Sequence, residues 1–299
     1  MNKRFPRWSL LAGFVVAGLC MRSPAHAADV CTSVREAMAQ AETRLPFELV
    51  DGRIYVEATV NRRGPYRFAV DTGASGMGRA DARLAAALGL RASGQVANSD
   101  GVHTTQSDTV RLEALALGGL VRRDVEVITR DYAARLSAAQ RFDGILGRDF
   151  FGDGLLVIDY PNRQLAFTTT GALPPEARGG LAYARPFRVQ VSIGGVQAIA
   201  HLDTGANVTA VVPKALYQRL DASPLQAAAP GRLTNGSIDA SRATLAGPLV
   251  IGGARLAGLE VRVSQQFPEL LVGAHALQGH VLAIDQRSRM VALCPPAGG

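Results

Sequence analysis

The sequence predicts an all-β protein with a few short helices, arranged as two similar lobes. The first observation is size and composition, because 299 residues that are 47% hydrophobic and 19% charged can bury two separate cores. The second is a series of short stretches in which apolar and polar residues alternate, which is typical of half-buried strands. The third is an internal repeat, in which short motifs recur in the same order 126 to 135 residues later.

The clearest repeated motif lies at residues 68–74, which read FAVDTGA, and at residues 200–206, which read AHLDTGA. An alternating stretch precedes each copy, at 56–60 and at 187–193. We expect each stretch to reach a turn, at Arg63-Gly64-Pro65 and at Gly194-Gly195, and to return as a strand that ends in Asp-Thr-Gly. The two copies therefore predict the same strand-turn-strand unit in each lobe.

Further landmarks follow each copy in the same order. An Asp-Gly pair at 100–101 and an Asn-Gly pair at 235–236 are signals of hairpin turns. The other matched segments are LGG at 117–119 with IGG at 251–253, ILG at 145–147 with LVG at 271–273, and VID at 157–159 with AID at 283–285. The spacing falls from 135 to 126 between the hairpins and the later glycines, which places nine extra residues in or near 130–142. We expect this insertion to be helix-like.

The repeat sets the predicted domain organisation. In residues 28–47, a capping-box pattern starts at Ser33, and Val34, Met38, Ala41 and Leu45 recur at helical spacing. This pattern predicts a short amphipathic helix packed on the outside of the lobes. The predicted segments are a signal peptide (1–27), an N-terminal helical segment (28–47), a first lobe (48–170), a linker rich in Pro and Gly (171–181), a second lobe (182–294) and a tail (295–299).

The start of the chain has the pattern of a secretory signal. Three basic residues precede an apolar stretch at 8–21, and Ala25-His26-Ala27 follows as a cleavage pattern. We expect cleavage after Ala27, a periplasmic or secreted location and no stable membrane insertion afterwards; an uncleaved N-terminal anchor is the alternative. Removal of 1–27 lowers the net charge from +7 to +3. A nucleic-acid partner is therefore not expected.

Two cysteines, Cys31 and Cys294, remain near the ends of the chain after the signal. An even pair in an exported protein suggests a disulfide between the two ends. The alternative is two free thiols far apart in space. No histidine cluster lies near either cysteine, so the sequence predicts no zinc site.

The two aspartates, Asp71 and Asp203, each follow a strand of buried type, where an isolated carboxylate would be costly. Each could cap its own turn, but that explains one site better than two at equivalent places. If the lobes face each other, the carboxyls form a pair that shares one proton. Such a pair activates water without a metal or cofactor.

Four neighbours of the aspartates complete the predicted loops. Gly73 and Gly205 allow a tight loop and close backbone approach. The hydroxyls of Thr72 and Thr204 are available for hydrogen bonds across the loops, which would hold the carboxyls in one plane. The tips of the two predicted hairpins, Asp100-Gly101 and Asn235-Gly236, have the composition of mobile tips that close over a cleft.

The sequence resembles the aspartic proteases, and among them the bacterial retropepsin-like group more than the large pepsins. The resemblance rests on residues 70–75 with 145–147 and on residues 202–206 with 271–273. It implies two closed acid-protease β-barrel lobes, a cleft that binds an extended polypeptide, a flap, and Asp71 with Asp203 as the catalytic pair.

Two features depart from the family pattern. Ser75 and Asn207 follow the two Asp-Thr-Gly-Ala motifs, where retroviral members have Asp. His201 lies two residues before Asp203, so it either biases the pKa of Asp203 or is a core histidine bonded to backbone.

These patterns predict a monomeric aspartic endopeptidase without cofactor. One alternative is a binding or scaffold protein that keeps the fold without turnover. A second is a homodimer in which each lobe forms its own aspartate pair.

Overall fold

The computed structural model describes Met1 and residues 28–132, 134 and 136–296. The signal peptide predicted for residues 1–27 lies outside the described residues, apart from Met1. The helices are short: α1 (Val30–Ala39), α2 (Ala82–Ala87), α3 (Lys214–Tyr217) and α4 (Ala274–Leu277), with 3-10 turns at Ala138–Gln140 and Arg148–Phe151.

Strands make up most of the described chain. Those before the predicted linker are β1 (Thr43–Pro46), β2 (Glu48–Val50), β3 (Arg53–Val60), β4 (Arg63–Val70), β5 (Gly78–Asp81), β6 (Ala92–Ser99), β7 (Thr104–Leu117), β8 (Leu120–Arg130), β9 (Gly144–Leu146), β10 (Leu155–Asp159) and β11 (Gln164–Thr168). Those after it are β12 (Leu181–Ala182), β13 (Arg188–Ile193), β14 (Val196–Asp203), β15 (Ala210–Pro213), β16 (Gln226–Ala227), β17 (Gly231–Arg232), β18 (Ser237–Ile238), β19 (Ser241–Thr244), β20 (Leu249–Ile251), β21 (Ala254–Leu256), β22 (Glu260–Ser264), β23 (Leu270–Gly273), β24 (Val281–Asp285) and β25 (Met290–Cys294).

Each lobe is built on its own sheet. The first has eight strands in the order β2-β3-β4-β9-β5-β8-β7-β6, and β3 also pairs with β7, which curls the sheet towards closure. The second has nine strands in the order β16-β19-β22-β15-β23-β14-β13-β20-β21. Strands β17 and β18 form a separate hairpin. The predicted all-β fold with two similar lobes is confirmed.

A third sheet joins the lobes, with six strands in the order β1-β11-β10-β24-β25-β12. At its centre β10 pairs antiparallel with β24, and Val157 lies opposite Ala283. These two residues begin the matched VID and AID segments, so equivalent parts of the two lobes pair with each other. Helix α1 packs on this sheet through Val30, Val34 and Ala37. The Cys31–Cys294 disulfide, with a Cα–Cα distance of 5.6 Å, fixes the helix to β25.

The N-terminal segment is helical over less of its length than predicted. Helix α1 begins at Val30 because the Asp29 carboxylate accepts the N–H of Cys31 at 2.9 Å, so Ser33 lies inside the helix and does not cap it. Leu45 belongs to β1, opposite Leu165 of β11. Pairing in the shared sheet therefore overrides the helical spacing of this residue.

The first turn also lies earlier than predicted. Asn61 and Arg62 adopt positive φ angles of 50° and 63° and form the turn. Asn is one of the few residues that tolerate this conformation. Gly64 and Pro65 lie within β4 instead, joined by a cis peptide bond. The second predicted turn, at Gly194-Gly195, is found between β13 and β14, where both glycines have positive φ.

The nine-residue insertion is not a regular helix. Its described part contains one 3-10 turn, Ala138–Gln140. Tyr132, Leu136 and Phe142 instead pack against Tyr55 and Ala69 on the outside of the first lobe. Apolar contact with the strands, rather than helical hydrogen bonding, organises this segment.

Candidate active site

The first Asp-Thr-Gly loop starts where β4 ends. Strand β4 runs parallel to β9, with Val70 opposite Leu146, and the N–H of Asp71 donates to the Leu146 carbonyl at 3.0 Å. Strand β5, after the loop, pairs antiparallel with β9. A Cβ on Gly147 would lie 2.4 Å from the Gly76 carbonyl oxygen, so only glycine fits. The ILG landmark therefore positions the loop.

The second loop has the same construction. Strand β14 runs parallel to β23, with Leu202 opposite Val272 and Asp203 opposite Gly273. Strand β15 pairs antiparallel with β23. A Cβ on Gly273 would lie 2.3 Å from the Val208 carbonyl oxygen. The LVG landmark therefore positions the loop that carries Asp203, just as the ILG landmark positions the loop that carries Asp71.

The two loops are joined by their threonines. The N–H of Thr72 donates to the Thr204 hydroxyl at 3.0 Å, and the N–H of Thr204 donates to the Thr72 hydroxyl at 3.1 Å. The Thr204 hydroxyl in turn donates to the Val70 carbonyl at 3.0 Å, and the Thr72 hydroxyl to that of Leu202 at 3.5 Å. Both threonines are buried. This reciprocal bonding fixes each lobe's loop to the strand of the other.

The carboxyls of Asp71 and Asp203 lie against each other at this junction. A Cβ on Gly73 would lie 2.5 Å from Asp203 Oδ2, and one on Gly205 would lie 2.4 Å from Asp71 Oδ1. Each glycine therefore makes room for the carboxyl of the opposite lobe. The two carboxyls are within hydrogen-bonding reach of each other. One chain thus assembles the complete aspartate pair.

The surroundings of the pair favour retention of a proton. Burial and the negative charge of Asp203 raise the pKa of Asp71 to about 7, against the opposing hydrogen bond from the N–H of Ala74. Burial also raises the pKa of Asp203, which is opposed by hydrogen bonds from the N–H groups of Gly205 and Ala206 and by its bond with Asp71. Two like charges in this space would repel, so the pair holds one proton up to near neutral pH.

Family models match both halves of this arrangement. Residues 56–150 match the family described as aspartyl protease, and residues 189–279 match the family described as gag-polyprotein putative aspartyl protease. The chain carries two aspartyl protease domains in tandem. This finding confirms the resemblance to retropepsin-like aspartic proteases with two lobes, and it supports peptidase activity in general. A search of the curated proteins finds no match for the chain.

The two aspartyl protease domains also touch through their hairpin tips, here called the first flap (β6 and β7, tip 100–103) and the second flap (β17 and β18, tip 233–236). The Asn235 amide nitrogen donates to the carbonyls of Asn98 and His103 at 2.8 and 3.0 Å, and its oxygen accepts from Arg130 at 2.7 Å. The ring of His103 lies against Gly236. Gly101 has a φ of 91°, as the tip of a tight turn requires.

Asn207, the residue that stands in the second loop where retroviral members have Asp, bonds to the first lobe. Its amide nitrogen donates to the Asp51 carboxylate at 2.7 Å. The same carboxylate lies 3.4 Å from His275 Nε2 and accepts from Gln140 at 3.1 Å. The counterpart Ser75 is exposed. The departure from the family pattern therefore adds a contact between the lobes.

His201 is buried, as a core histidine would be, but its Nε2 has no hydrogen-bond partner among the described residues. Its Nδ1 lies 3.7 Å from Glu269, a carboxylate that also binds Arg188. Burial and the charge of Arg188 lower the pKa of His201 to about 4. The histidine is therefore neutral at ordinary pH, and the main influences on the pKa of Asp203 are the groups named above.

Three arginines beside the loops were not predicted as site residues. Arg53 donates to the Gly205 carbonyl at 3.2 Å, and Arg148 donates to the Gly73 carbonyl at 3.3 Å. The charges of Arg53 and Arg79 both lower the pKa of Asp71. Arg148 directly follows the ILG landmark, which was the only sequence signal of its position.

The described residues contain neither a metal-binding cluster nor a membrane-spanning helix. Within residues 28–296, leaving out the undescribed positions 133 and 135, no group of three or more His, Cys, Asp or Glu side chains is placed to hold a metal ion. In the same part of the chain, no helix has the length and hydropathy needed to cross a membrane.

Proposed function

We propose that this chain is an aspartic endopeptidase in which Asp71 and Asp203 hydrolyse peptide bonds. The observation that carries the proposal is the contact between the two carboxyls, held by reciprocal threonine bonds and fitted against the two glycines. Positioning of this kind is what general acid-base catalysis requires. Cap residues for two separate turns would not need to meet.

The electrostatics support a different proposed role for each carboxyl. Backbone hydrogen bonding stabilises the ionised form of Asp203, whereas the pKa of Asp71 is raised by burial and further by the charge of Asp203. In the proposed cycle, ionised Asp203 takes a proton from water, and the water oxygen attacks the substrate carbonyl carbon. Protonated Asp71 gives its proton to the carbonyl oxygen. The C–N bond then breaks as Asp203 passes its proton to the leaving nitrogen and a hydroxyl of the tetrahedral intermediate returns a proton to Asp71, which yields a free acid and a free amine.

One chain supplies both aspartates, so we propose that the monomer is the active unit. A homodimer with a separate pair in each lobe would require Asp71 and Asp203 to lie apart. We also propose that the substrate is a polypeptide bound in extended form, because catalysis at an internal peptide bond needs access for chain on both sides. The shared six-stranded sheet gives the two halves of the site a common support.

We propose a periplasmic or secreted location. Beyond the signal-like N-terminal sequence, the support is the Cys31–Cys294 disulfide. Disulfides persist in oxidising compartments and are rare in reducing ones. Cleavage after Ala27 would leave Cys31 free to pair, and mass determination of the exported protein under nonreducing conditions tests both expectations.

The deciding experiment compares wild type with Asp71→Asn and Asp203→Asn on denatured protein substrates between pH 4 and 7. Each variant should lose at least about a thousandfold in kcat/KM, because each removes one partner of the acid-base pair. Asp124→Asn is the matched control, since Asp124 is exposed and has a φ of 50° that Asn tolerates. Equal inactivity of wild type and both variants would favour the binding or scaffold alternative.

A further inference from the structure

A cavity of about 370 Å³ lies beside the first Asp-Thr-Gly loop. Its lining includes Ser75 and Gly76 of the loop, residues 96–99 of the first flap, Arg79 and Glu126. The volume exceeds that of any amino-acid side chain. A substrate residue close to the cleaved bond could therefore place its side chain here.

Arg79 contributes a buried charge to this cavity. The residue is only 7% exposed. Its Nη1 donates to the carbonyls of Ser75 and Gly78 at 2.7 and 2.9 Å, which uses both N–H groups of that nitrogen. Within the described part of the chain, Nε and Nη2 make no hydrogen bond and no carboxylate forms an ion pair with the guanidinium, although its charge does act on Asp71 and lowers the pKa of that carboxyl. Burying such a charge is unfavourable unless an anion compensates it.

The fold itself does not require an arginine at this position. In the first lobe Arg79 lies opposite Ile145 of β9, and in the second lobe Val211 lies opposite Leu271 of β23. Ile145 and Leu271 are matched positions of the repeat, so Arg79 and Val211 are equivalent. An aliphatic side chain satisfies the same site in the second lobe. Arg79 therefore needs an explanation beyond packing.

We propose that Arg79 is a specificity-determining residue that binds an acidic side chain of the substrate, Asp or Glu, next to the cleaved bond. Its planar guanidinium offers parallel N–H groups that fit a carboxylate. The expected preference in kcat/KM rests on the proposed peptidase function, but binding of the acidic side chain can be measured without turnover.

Glu126, which lines the same cavity, is the rival determinant, because it would attract a basic side chain. Its Oε1 already accepts from the hydroxyls of Ser93 and Thr109 at 2.8 and 3.0 Å; these hydrogen bonds lower the pKa of Glu126, and the charge of Arg111 lowers it further. Glu126 is also an exposed residue, so water screens its charge. The buried Arg79 charge is screened far less and dominates the cavity.

The test uses a set of fluorogenic peptides in which each position flanking the cleaved bond holds Glu, Gln or Lys in turn. Wild type should cleave the best Glu peptide with a kcat/KM about tenfold or more above that of its Gln counterpart. Arg79→Val, which copies the second lobe, should bring the ratio of the two kcat/KM values to about one, whatever its effect on the absolute rates through Asp71. Arg79→Lys, which keeps the positive charge, should retain part of the preference for the Glu peptide. Arg255→Val, at an exposed strand position in the second lobe, is the matched control and should keep the full preference.

Binding to an Asp203→Asn background separates the two proposals. There the Glu peptide should bind more tightly than the Gln peptide by fluorescence anisotropy, and adding Arg79→Val should remove the difference. A wild type that cleaves nothing, with this binding preference intact, contradicts the peptidase function and supports the pocket. Equal binding or cleavage of Glu and Gln peptides overturns the pocket, as does a preference for Lys that Glu126→Gln abolishes. If Arg79→Val does not fold, the Glu-over-Gln preference is measured in the other two variants. A weaker preference in Arg79→Lys with an unchanged one in Glu126→Gln supports the pocket, and an unchanged preference in Arg79→Lys overturns it.

Discussion

The backbone N–H of Asn235 donates to the Asp100 carboxylate at 2.6 Å, so the tips of the two flaps are bonded directly across the two domains. The Asn235 side chain adds bonds to the first flap and to Arg130. Asn235→Ala removes the side-chain bonds and should lower the free energy of local opening by about 1–3 kcal/mol. Hydrogen exchange should quicken in residues 98–103 and 231–238. Unchanged exchange there, with Asn162→Ala as control, would show that the tips open independently of Asn235.

Thr72 and Thr204 should be needed for stability as well as for activity. Thr72→Ala leaves the buried N–H of Thr204 without its acceptor, and we expect it to lower the free energy of unfolding by about 1–3 kcal/mol. Thr72→Ser keeps the hydroxyl and should recover most of the loss. Urea unfolding and kcat measured on the same samples check this. Equal values for the Ala and Ser variants would contradict the role given to the hydroxyl.

The raised pKa of Asp71 predicts how activity and stability depend on pH. Activity should fall as pH rises through about 7, because the pair then loses its shared proton. Asp71 binds its proton more tightly when folded than when unfolded, so its contribution to stability is complete below pH 3.8 and is lost as pH rises towards 7. Asp71→Asn should therefore raise Tm, most strongly above pH 7. A Tm difference that does not change with pH would contradict this account.

His201 should make the protein sensitive to acid. Its pKa falls from 6.5 to about 4 on folding, so its stability contribution is present above pH 6.5 and is lost as pH falls towards 4. His201→Gln removes the titration, and the fall in Tm between pH 6.5 and 4 should become smaller. His103, which lies in the first flap, gives the control variant His103→Gln. An unchanged pH dependence in His201→Gln would show that other groups set the acid limit.

Loss of the disulfide should destabilise the whole molecule. The bond joins residues separated by 263 positions, and its removal in Cys31→Ser/Cys294→Ser should cost about 2–5 kcal/mol. Thermal unfolding with and without reductant measures the effect, and the double variant should be insensitive to reductant. A reductant effect that persists in the double variant would point to a cause other than this bond.

The repeat made much of the fold and site predictable. The Asp-Thr-Gly motifs and the later glycine landmarks are spaced alike because the same strand pairings hold each loop, as Val70 with Leu146 and Leu202 with Val272 show. Two copies also predicted the facing threonines. Local patterns did less well where tertiary contacts compete, as at Leu45, whose helical spacing gives way to pairing with β11.

Contacts between distant residues could not be predicted from patterns in the chain. Nothing in the sequence around Asp51 indicates that it meets Asn207 and His275. The role of Arg79 also required the structure, because the mismatch with Val211 is informative only once both are seen on equivalent strands. The six-stranded sheet is a similar case, since strand order across two lobes depends on how they dock.

The backbone and the Cys31–Cys294 bond together form a closed covalent ring from residue 31 to residue 294. A single cut in that ring, for instance within the 171–181 linker, opens the ring but releases no fragment. The two halves would stay linked through the disulfide and through the pairing of β10 with β24. One cleavage of this backbone, whether by the same molecule or by another copy, therefore leaves the two halves joined. Their separation requires both reduction of the disulfide and unfolding of the shared sheet.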